Sequence, residues 1–300
     1  MKGVVMELMD LEGVRHRHIT VAGVRLHLAE AGDDAAPAVV LLHGFPQHWY
    51  TWRHLFKPLG RTRHVIAVDM RGFGWSDAPR RGYSTNDRVR DVIAVLDQLH
   101  IPTADVIGHD FGATVAARIA LDHPERVGRV IMISMLHPWP MQRHLLPNTW
   151  RWWVTALYEY PGIGGWMLRS RPRLTEWIMR RDADNRDAWT PELLRIYSSV
   201  IAEPDHARAA QQLMWASIFT DIPQVVFHRD RDIACTVPML VITGDQDALI
   251  PRAVVTVPPE RADILTTRTV PGGHYVLDEN PAEILAAITA FLELPGHSQY

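Results

Sequence analysis

The stretch Ala104-Asp-Val-Ile-Gly-His-Asp-Phe-Gly-Ala113 decides the fold of this 300-residue chain. Its first four residues form a short apolar run typical of a buried strand, and Phe111–Leu121 has the pattern of a helix. Between them, Gly108 and Gly112 flank Asp110, which predicts a sharp turn from strand to helix. Such a turn lifts the central side chain clear of the sheet, beside the first amides of the helix. Asp110 is therefore the candidate nucleophile.

Other short apolar runs predict further buried strands of a mostly parallel sheet, namely Ala38–Leu42, Val65–Val68, Val130–Ile133 and Met239–Ile242. Helical stretches alternate with these runs, notably Thr85–Leu99 with its apolar stripe, and the chain ends on an amphipathic helix at Pro281–Leu292. The alternation predicts an α/β fold with a doubly wound sheet. Ile19–Val21 and Arg25–Leu28 predict an antiparallel hairpin that opens this sheet.

The strand pattern is missing from residues 136–232, where the sequence has a helical pattern that is repeatedly interrupted by proline. Eight of the eleven tryptophans fall in this segment. We therefore predict a helical cap domain at 136–232, inserted into an α/β core formed by residues 1–135 and 233–300. Such a length is ordinary for one core with an insertion.

Composition and charge exclude several classes of function. The chain is 47% hydrophobic and 22% charged, which argues against disorder. Its 31 basic and 34 acidic residues give a net charge of -3, so nucleic acid is not an expected partner. No apolar run approaches the roughly 18 to 20 residues of a membrane span, so no membrane partner is expected. The single Cys235 and the polar start at Met1–Val14 favour a cytoplasmic location.

Candidate partners for Asp110 follow the last strands. Asp245 and Asp247 come after Met239–Ile242, and His274 follows the next predicted strand. A nucleophile, an acid and a histidine in this chain order can form a hydrolytic triad, with His274 as the base. Either aspartate could instead cap the turn that follows. We favour Asp247 as the acid.

A fourth element is His43-Gly-Phe-Pro46, directly after the strand Ala38–Leu42. The backbone amide of Phe45, with that of Phe111 after the nucleophile, could form a two-donor oxyanion hole. We interpret His43 as a structural residue that holds this turn.

Together these features resemble the α/β-hydrolase fold over essentially the whole chain. Within that fold they are similar to the aspartate-nucleophile branch, which holds epoxide hydrolases and haloalkane or haloacetate dehalogenases. The closer resemblance is to bacterial epoxide hydrolases, and the stretches that carry it are His43-Gly-Phe-Pro-Gln-His-Trp-Tyr-Thr-Trp-Arg53, Asp69-Met-Arg-Gly-Phe-Gly-Trp-Ser-Asp77 and Gly108-His-Asp-Phe-Gly112. No cofactor and no metal are expected.

An aspartate nucleophile selects the chemistry. A carboxylate with a reference pKa of about 3.9 is ionised at neutral pH and needs no base to attack. Attack on a saturated carbon gives a stable alkyl ester, which favours epoxides and alkyl halides as substrates. His274, oriented by Asp247, would then activate water to cleave the ester. The expected reaction is hydrolysis of an epoxide to a vicinal diol through an ester on Asp110.

The cap departs from the resemblance, which implies two lid tyrosines that assist the leaving oxygen. In Arg151–Gly162 either Trp153 or Tyr158 could lie over the site, and the sequence does not decide between them. In Gln211–Phe219, Trp215 stands where related enzymes carry the second tyrosine. An indole donates a hydrogen bond but does not transfer a proton as a phenol can.

Because indole donors suit a departing halide, haloalkane dehalogenase is the alternative activity. Against it, Phe111 stands where haloalkane dehalogenases generally carry a tryptophan. Haloacetate dehalogenases carry arginines at the positions that Phe111 and Thr114 occupy here, so the resemblance to that group is weaker. A small-molecule binder without turnover is a third possibility. The aromatic cap favours an apolar small-molecule substrate, and the sequence leaves monomer or homodimer open.

Overall fold

The computed structural model describes residues 8–139, 142–160, 162–226, 230 and 232–294. Within these ranges there are eight strands: β1 (Arg15–Val21), β2 (Val24–Ala31), β3 (Ala38–Leu42), β4 (His64–Val68), β5 (Ala104–His109), β6 (Val127–Ile133), β7 (Met239–Gly244) and β8 (Leu265–Val270). They form one sheet in the order β1-β2-β4-β3-β5-β6-β7-β8. The described residues therefore hold a single central sheet.

Pairing in this sheet is antiparallel for β1 with β2 and for β2 with β4, and parallel for every later pair. Val21 faces Val24 at the tip of the first hairpin. Strand β3 crosses back between β4 and β5, and Leu42 at its end is level with Gly108 in β5. The predicted doubly wound α/β fold is confirmed, and the carboxyl ends of β3 and β5 meet at one edge.

The helices are α1 (Arg53–Leu59), α2 (Thr85–Gln98), α3 (Phe111–Asp122), α4 (Gln142–Leu145), α5 (Trp153–Glu159), α6 (Ile163–Ser170), α7 (Pro172–Arg181), α8 (Pro191–Ile201), α9 (Pro204–Ala216), α10 (Ile222–Val226), α11 (Val276–Glu279) and α12 (Pro281–Leu292). Shorter 3-10 turns occupy Trp49–Trp52, Pro124–Arg126, Leu146–Trp152, Arg186–Ala188, Arg252–Val254 and Pro259–Arg261, and Ser217–Asp221 is a π-helix. Among the helices of the described ranges, none combines the length and the apolar character that a bilayer span requires.

Local sequence explains where several helices begin. Pro172, Pro191 and Pro204 each start a helix, where the fixed φ of proline fits and its missing N–H is not needed. Ser84 accepts from the amide of Asp87 at the start of α2, and the Asp87 carboxylate accepts from Ser84 in return. Such a capping box satisfies two otherwise free amides.

Helices α4–α10 all lie between β6 and β7 in the chain. This agrees with the position of the predicted cap, while its boundaries at 136 and 232 stay a prediction. The predicted core ranges include residues 1–7 and 295–300, which lie outside the described residues.

The sheet divides two apolar layers because successive side chains of a strand point to opposite faces. Val40 and Leu42 pack on the side of α2 and α3, whereas Val39 and Leu41 pack on the side of α1 and α12. A third cluster joins helices α5, α6 and α9 to the residues that follow β3 and β5, and its members include Phe45, Phe111, Tyr158, Leu168 and Leu213. These helices therefore cover the carboxyl ends of the two strands.

Candidate active site

Asp110 lies at the turn between β5 and α3 with φ 50° and ψ -125°. A positive φ is uncommon for a residue other than glycine and is typical of strained functional turns. A β-carbon at Gly108 would collide with the Gly112 carbonyl, and one at Gly112 would collide with the Leu42 carbonyl. The two glycines are thus required by close backbone approach, and they hold Asp110 at the tip of the turn.

The structure brings Asp110, His274 and Asp247 together. His274 Nε2 lies 3.5 Å from Asp110 Oδ2, and His274 Nδ1 lies 3.1 Å from Asp247 Oδ2. The other oxygen of Asp247 accepts from the amides of Leu249 at 2.9 Å and Ile250 at 2.8 Å. Asp247 is fixed by these amides, and it fixes the imidazole between two carboxylates in turn.

Asp245, the other candidate acid, is directed elsewhere. It is exposed, and its Oδ1 accepts from the amide of Gly272 at 3.1 Å. Asp245 therefore braces the loop that carries His274 and does not orient the imidazole.

Charge and burial set the protonation of this group. Burial raises the pKa of the Asp110 carboxyl, but the hydrogen bond and charge of His274, with the Phe45 amide, hold that pKa below its usual value. Burial opposes the charged form of His274, yet the charges of Asp247 and Asp110 raise its pKa well above the usual value. The two carboxylates therefore favour the protonated form of His274 in the free site.

The backbone amide of Phe45 donates to Asp110 Oδ1 at 3.0 Å. Phe111 is the first residue of α3, so its amide is among those that have no acceptor within the helix. A β-carbon at Gly44 would collide with Asp110, so this close approach depends on glycine. His43 accepts from the Met70 amide at 3.0 Å through Nε2, and it holds the turn as the sequence indicated.

A cavity of about 210 Å³ opens above Asp110 and His274. Its apolar lining includes Ala117, Met135, Leu136, Leu145, Met214 and Leu249. Polar side chains also line it, among them Thr114, Thr155, Glu159 and Asp221. The cavity is enclosed jointly by the sheet edge and by the segments between β6 and β7.

The three lid residues predicted from sequence do not line this cavity. Trp153 is 50% exposed and packs its ring under the guanidinium of Arg181. The indole of Trp215 donates to the Glu159 carbonyl at 2.7 Å, so it is engaged inside the cap. Neither tryptophan is therefore part of the cavity wall in this structure, and their contact with substrate stays a prediction.

Tyr158 is also turned away from the cavity. Its hydroxyl lies 3.3 Å from the Thr175 hydroxyl, and its ring packs edge-on against Phe45 with centroids 5.4 Å apart. Burial raises the pKa of this phenol to about 12. Neither of the two alternatives, Trp153 and Tyr158, lines the cavity, because position along a helix does not show which of its sides faces the sheet.

Two acids that the sequence analysis did not single out tether the site. Glu279 Oε2 accepts from the amides of Gly273, Asp184 and Asn185, at 2.7 to 2.9 Å. Its Oε1 accepts from the Tyr275 amide at 3.1 Å. Glu279 therefore binds the His274 loop directly to the segment after α7.

The second of these acids is Asp278, which is buried. Gln47 Nε2 donates to it at 2.6 Å, the Tyr197 hydroxyl donates at 3.3 Å, and Arg53 pairs with it. This carboxylate joins the loop after β3 to α8. Asp278 and Glu279 lie four and five residues after His274 in a buried stretch, and this position could have identified both from the sequence.

The described residues contain no group of three or more His, Cys, Asp or Glu side chains arranged to hold a metal ion.

Comparison with known proteins agrees with this architecture. A family model of the alpha/beta hydrolase fold matches residues 37–281. The human protein Epoxide hydrolase 4 is 37% identical over 285 residues, which cover 91% of this chain and 76% of that protein. The Bacillus subtilis AB hydrolase superfamily protein YfhM is 38% identical over 272 residues, covering 89% and 90%.

Among solved structures, Epoxide Hydrolase A from Mycobacterium thermoresistibile superposes with a TM-score of 0.76 at 26% identity, covering 93% of this chain and 98% of that one. The sheet order, the Asp110 turn and the long family match therefore lead to one conclusion: the chain belongs to the α/β-hydrolase superfamily.

Proposed function

We propose that this protein is an epoxide hydrolase that opens an epoxide to a vicinal diol through a covalent ester on Asp110. The observation that carries the proposal is the alignment of Asp110, His274 and Asp247 below a mostly apolar cavity. A carboxylate in the nucleophile position favours attack on a saturated carbon. The names of the human and mycobacterial relatives support the same substrate class.

In the first step Asp110 attacks a ring carbon of the epoxide. Its lowered pKa keeps the carboxyl ionised at neutral pH. The Phe45 amide on Oδ1 orients the carboxylate, which leaves Oδ2 as the attacking oxygen on the side of His274. The C–O bond of the ring breaks, and a hydroxyalkyl ester forms on Asp110.

Formation of the ester changes the protonation of His274. In the free site, Asp110 is one of two carboxylates that raise the pKa of His274. An ester carries no charge, so alkylation removes this contribution and lowers the pKa of the imidazole. The imidazolium then releases its proton to solvent, and the neutral His274 takes a proton from water, while Asp247 stabilises the imidazolium that forms again.

Water adds to the ester carbonyl carbon in the second step. The negative charge develops on the carbonyl oxygen, which the Phe45 amide already contacts as Oδ1 of the free carboxylate. Collapse of this intermediate releases the diol and regenerates Asp110. The same amide therefore serves both steps.

The cavity favours an apolar small-molecule substrate. Alkyl and thioether side chains form much of its wall, and such a lining binds ligands mainly by excluding water. Its volume of about 210 Å³ fits a compact epoxide better than a long-chain one.

Dehalogenation is the less favoured activity. A departing halide needs hydrogen-bond donors, and the indoles near the cavity are engaged. Trp215 donates to the Glu159 carbonyl, and Trp152 donates to the Leu249 carbonyl at 3.1 Å. A binder without turnover has no need of an imidazole held between two carboxylates.

The test is to trap the ester. His274→Gln removes the base of the second step, so incubation with a reactive epoxide should add the mass of the epoxide to a peptide that contains Asp110. A panel of epoxides and haloalkanes, assayed with the wild-type protein for diol and for free halide, separates the two activities. Absence of any adduct or product across the panel would overturn the proposal.

A further inference from the structure

Opening an epoxide needs a proton for the leaving oxygen, and no tyrosine among the described residues forms part of the cavity wall. Tyr300 lies outside the described residues, and none of the other six lines the cavity. Their positions differ: Tyr50 packs under Arg53, Tyr83 donates to the Pro79 carbonyl, Tyr158 contacts Thr175, Tyr160 is 64% exposed, Tyr197 donates to Asp278, and Tyr275 packs between His274 and Trp189.

A carboxyl group from the cap lines the cavity instead. Glu159 is the last residue of α5 and forms part of the same wall as Asp110 and His274. Its carbonyl accepts the Trp215 indole, which fixes the end of the helix. Its Oε1 accepts from the Thr155 hydroxyl at 2.9 Å, one turn earlier on the same helix. The first contact fixes the backbone at residue 159, and the second holds the carboxyl group beside Thr155, which also lines the cavity.

The other carboxylates that line the cavity each lie beside a basic side chain, with Asp110 next to His274, whereas Glu159 does not. Asp221 lies 3.7 Å from Arg88, and Asp230 accepts from Arg118 at 2.8 Å. In the part of the chain that the structure describes, no cation pairs with Glu159. Burial, without a compensating cation, raises the pKa of its carboxyl. A half-buried carboxyl group of this kind is suited to carry a proton.

We propose that Glu159 is the acid that protonates the leaving oxygen of the epoxide. This role rests on the proposed function and replaces the lid tyrosines that the resemblance implied. Asp110 attacks a ring carbon, the C–O bond to that carbon breaks, and the proton of Glu159 moves to the departing oxygen. The products are a hydroxyalkyl ester on Asp110 and a carboxylate on Glu159.

The proton balance closes in the second step. Water adds to the ester carbonyl carbon as His274 takes one of its protons, and His274 returns this proton to the alkoxide when the diol leaves. Asp110 is released as a carboxylic acid. Its proton restores Glu159 through solvent, and His274 regains from solvent the proton that it released after ester formation, so each turnover consumes one water and forms one diol.

The test compares ester formation from two leaving groups. An alkyl halide forms the same kind of ester without a proton donor, because a halide leaves as an anion. We expect Glu159→Gln in the His274→Gln background to slow ester formation from an epoxide by about 100-fold or more. Ester formation from a primary alkyl bromide should keep the rate of the His274→Gln parent. That background also removes His274 as a rival proton source.

Glu176→Gln is the matched control. Glu176 is a half-buried glutamate of the cap whose Oε1 accepts from the Ser198 hydroxyl at 2.8 Å, but it does not line the cavity. Its variant should leave both rates unchanged. Equal rates for Glu159→Gln and its parent with the epoxide would overturn the role of Glu159, as would an equal loss with both substrates. Absence of any ester in the parent would instead overturn the proposed function, and this role with it.

Discussion

Replacement of Asp247 by asparagine should separate the two steps of the proposed reaction. The new side chain can keep its oxygen toward the amides of Leu249 and Ile250, so the loop is retained. What is lost is the negative charge 3.1 Å from His274 Nδ1. That charge stabilises the imidazolium formed when water is deprotonated, and Asp110 does not need it in order to attack.

The size of the effect follows from this contact. At an effective dielectric constant of about 20, opposite unit charges about 4 Å apart attract each other by about 4 kcal/mol. Since about 1.4 kcal/mol is a factor of ten in rate, ester hydrolysis should slow by about a thousandfold. Ester formation should change far less, so the variant accumulates covalent ester on Asp110.

Rapid-quench mass spectrometry measures both steps, from the growth and the decay of the adduct after mixing with an epoxide. Asp245→Asn is the matched control, because Asp245 is on the same loop, accepts the Gly272 amide and does not touch His274. It should hydrolyse the ester at the wild-type rate. Fast hydrolysis in Asp247→Asn, or an equal delay in both variants, would refute the assignment of Asp247.

Three further results are expected. Asp110→Asn should abolish turnover and lower the pKa of His274, because one of the carboxylates that raises this pKa is removed. NMR of the ring nitrogens measures the pKa of His274, and an unchanged value would show that the two side chains do not interact. Gly112→Ala should destabilise the protein by about 1–3 kcal/mol, because the β-carbon of the alanine collides with the end of β3. Chemical denaturation measures the free energy of unfolding, and a wild-type value would contradict this prediction. Trp215→Phe should lower stability by about 1 kcal/mol through the lost bond to the Glu159 carbonyl, with ester formation largely retained; a large change only in ester formation would place the indole at the substrate.

Sequence alone predicted the parts of this molecule whose geometry is dictated locally. A run such as Ala38–Leu42 is apolar at every position because both faces of a central parallel strand are buried. Gly108 and Gly112 mark the turn because side chains there would collide with backbone. The helix at Pro281–Leu292 was predicted with the bounds that the structure shows, since proline fixes its first turn.

The cap could not be predicted to the same depth. Which side of α5 or α9 faces the cavity depends on how these helices pack on each other. The sequence of one helix alone does not determine that packing. Trp153 and Trp215 match expected positions in the chain, yet one is exposed and the other donates inside the cap. Glu159 belongs to no motif, and it became a candidate only through its place in the cavity wall.

The tether at Glu279 limits how this enzyme can be redesigned. One carboxylate binds amides from two distant segments, at Gly273 beside His274 and at Asp184 after α7. A chimera that grafts a foreign cap onto this core would leave that buried charge without some of its donors and would loosen the imidazole. Attempts to widen the substrate range should therefore keep the Asp182–Asn185 segment and exchange side chains elsewhere between β6 and β7.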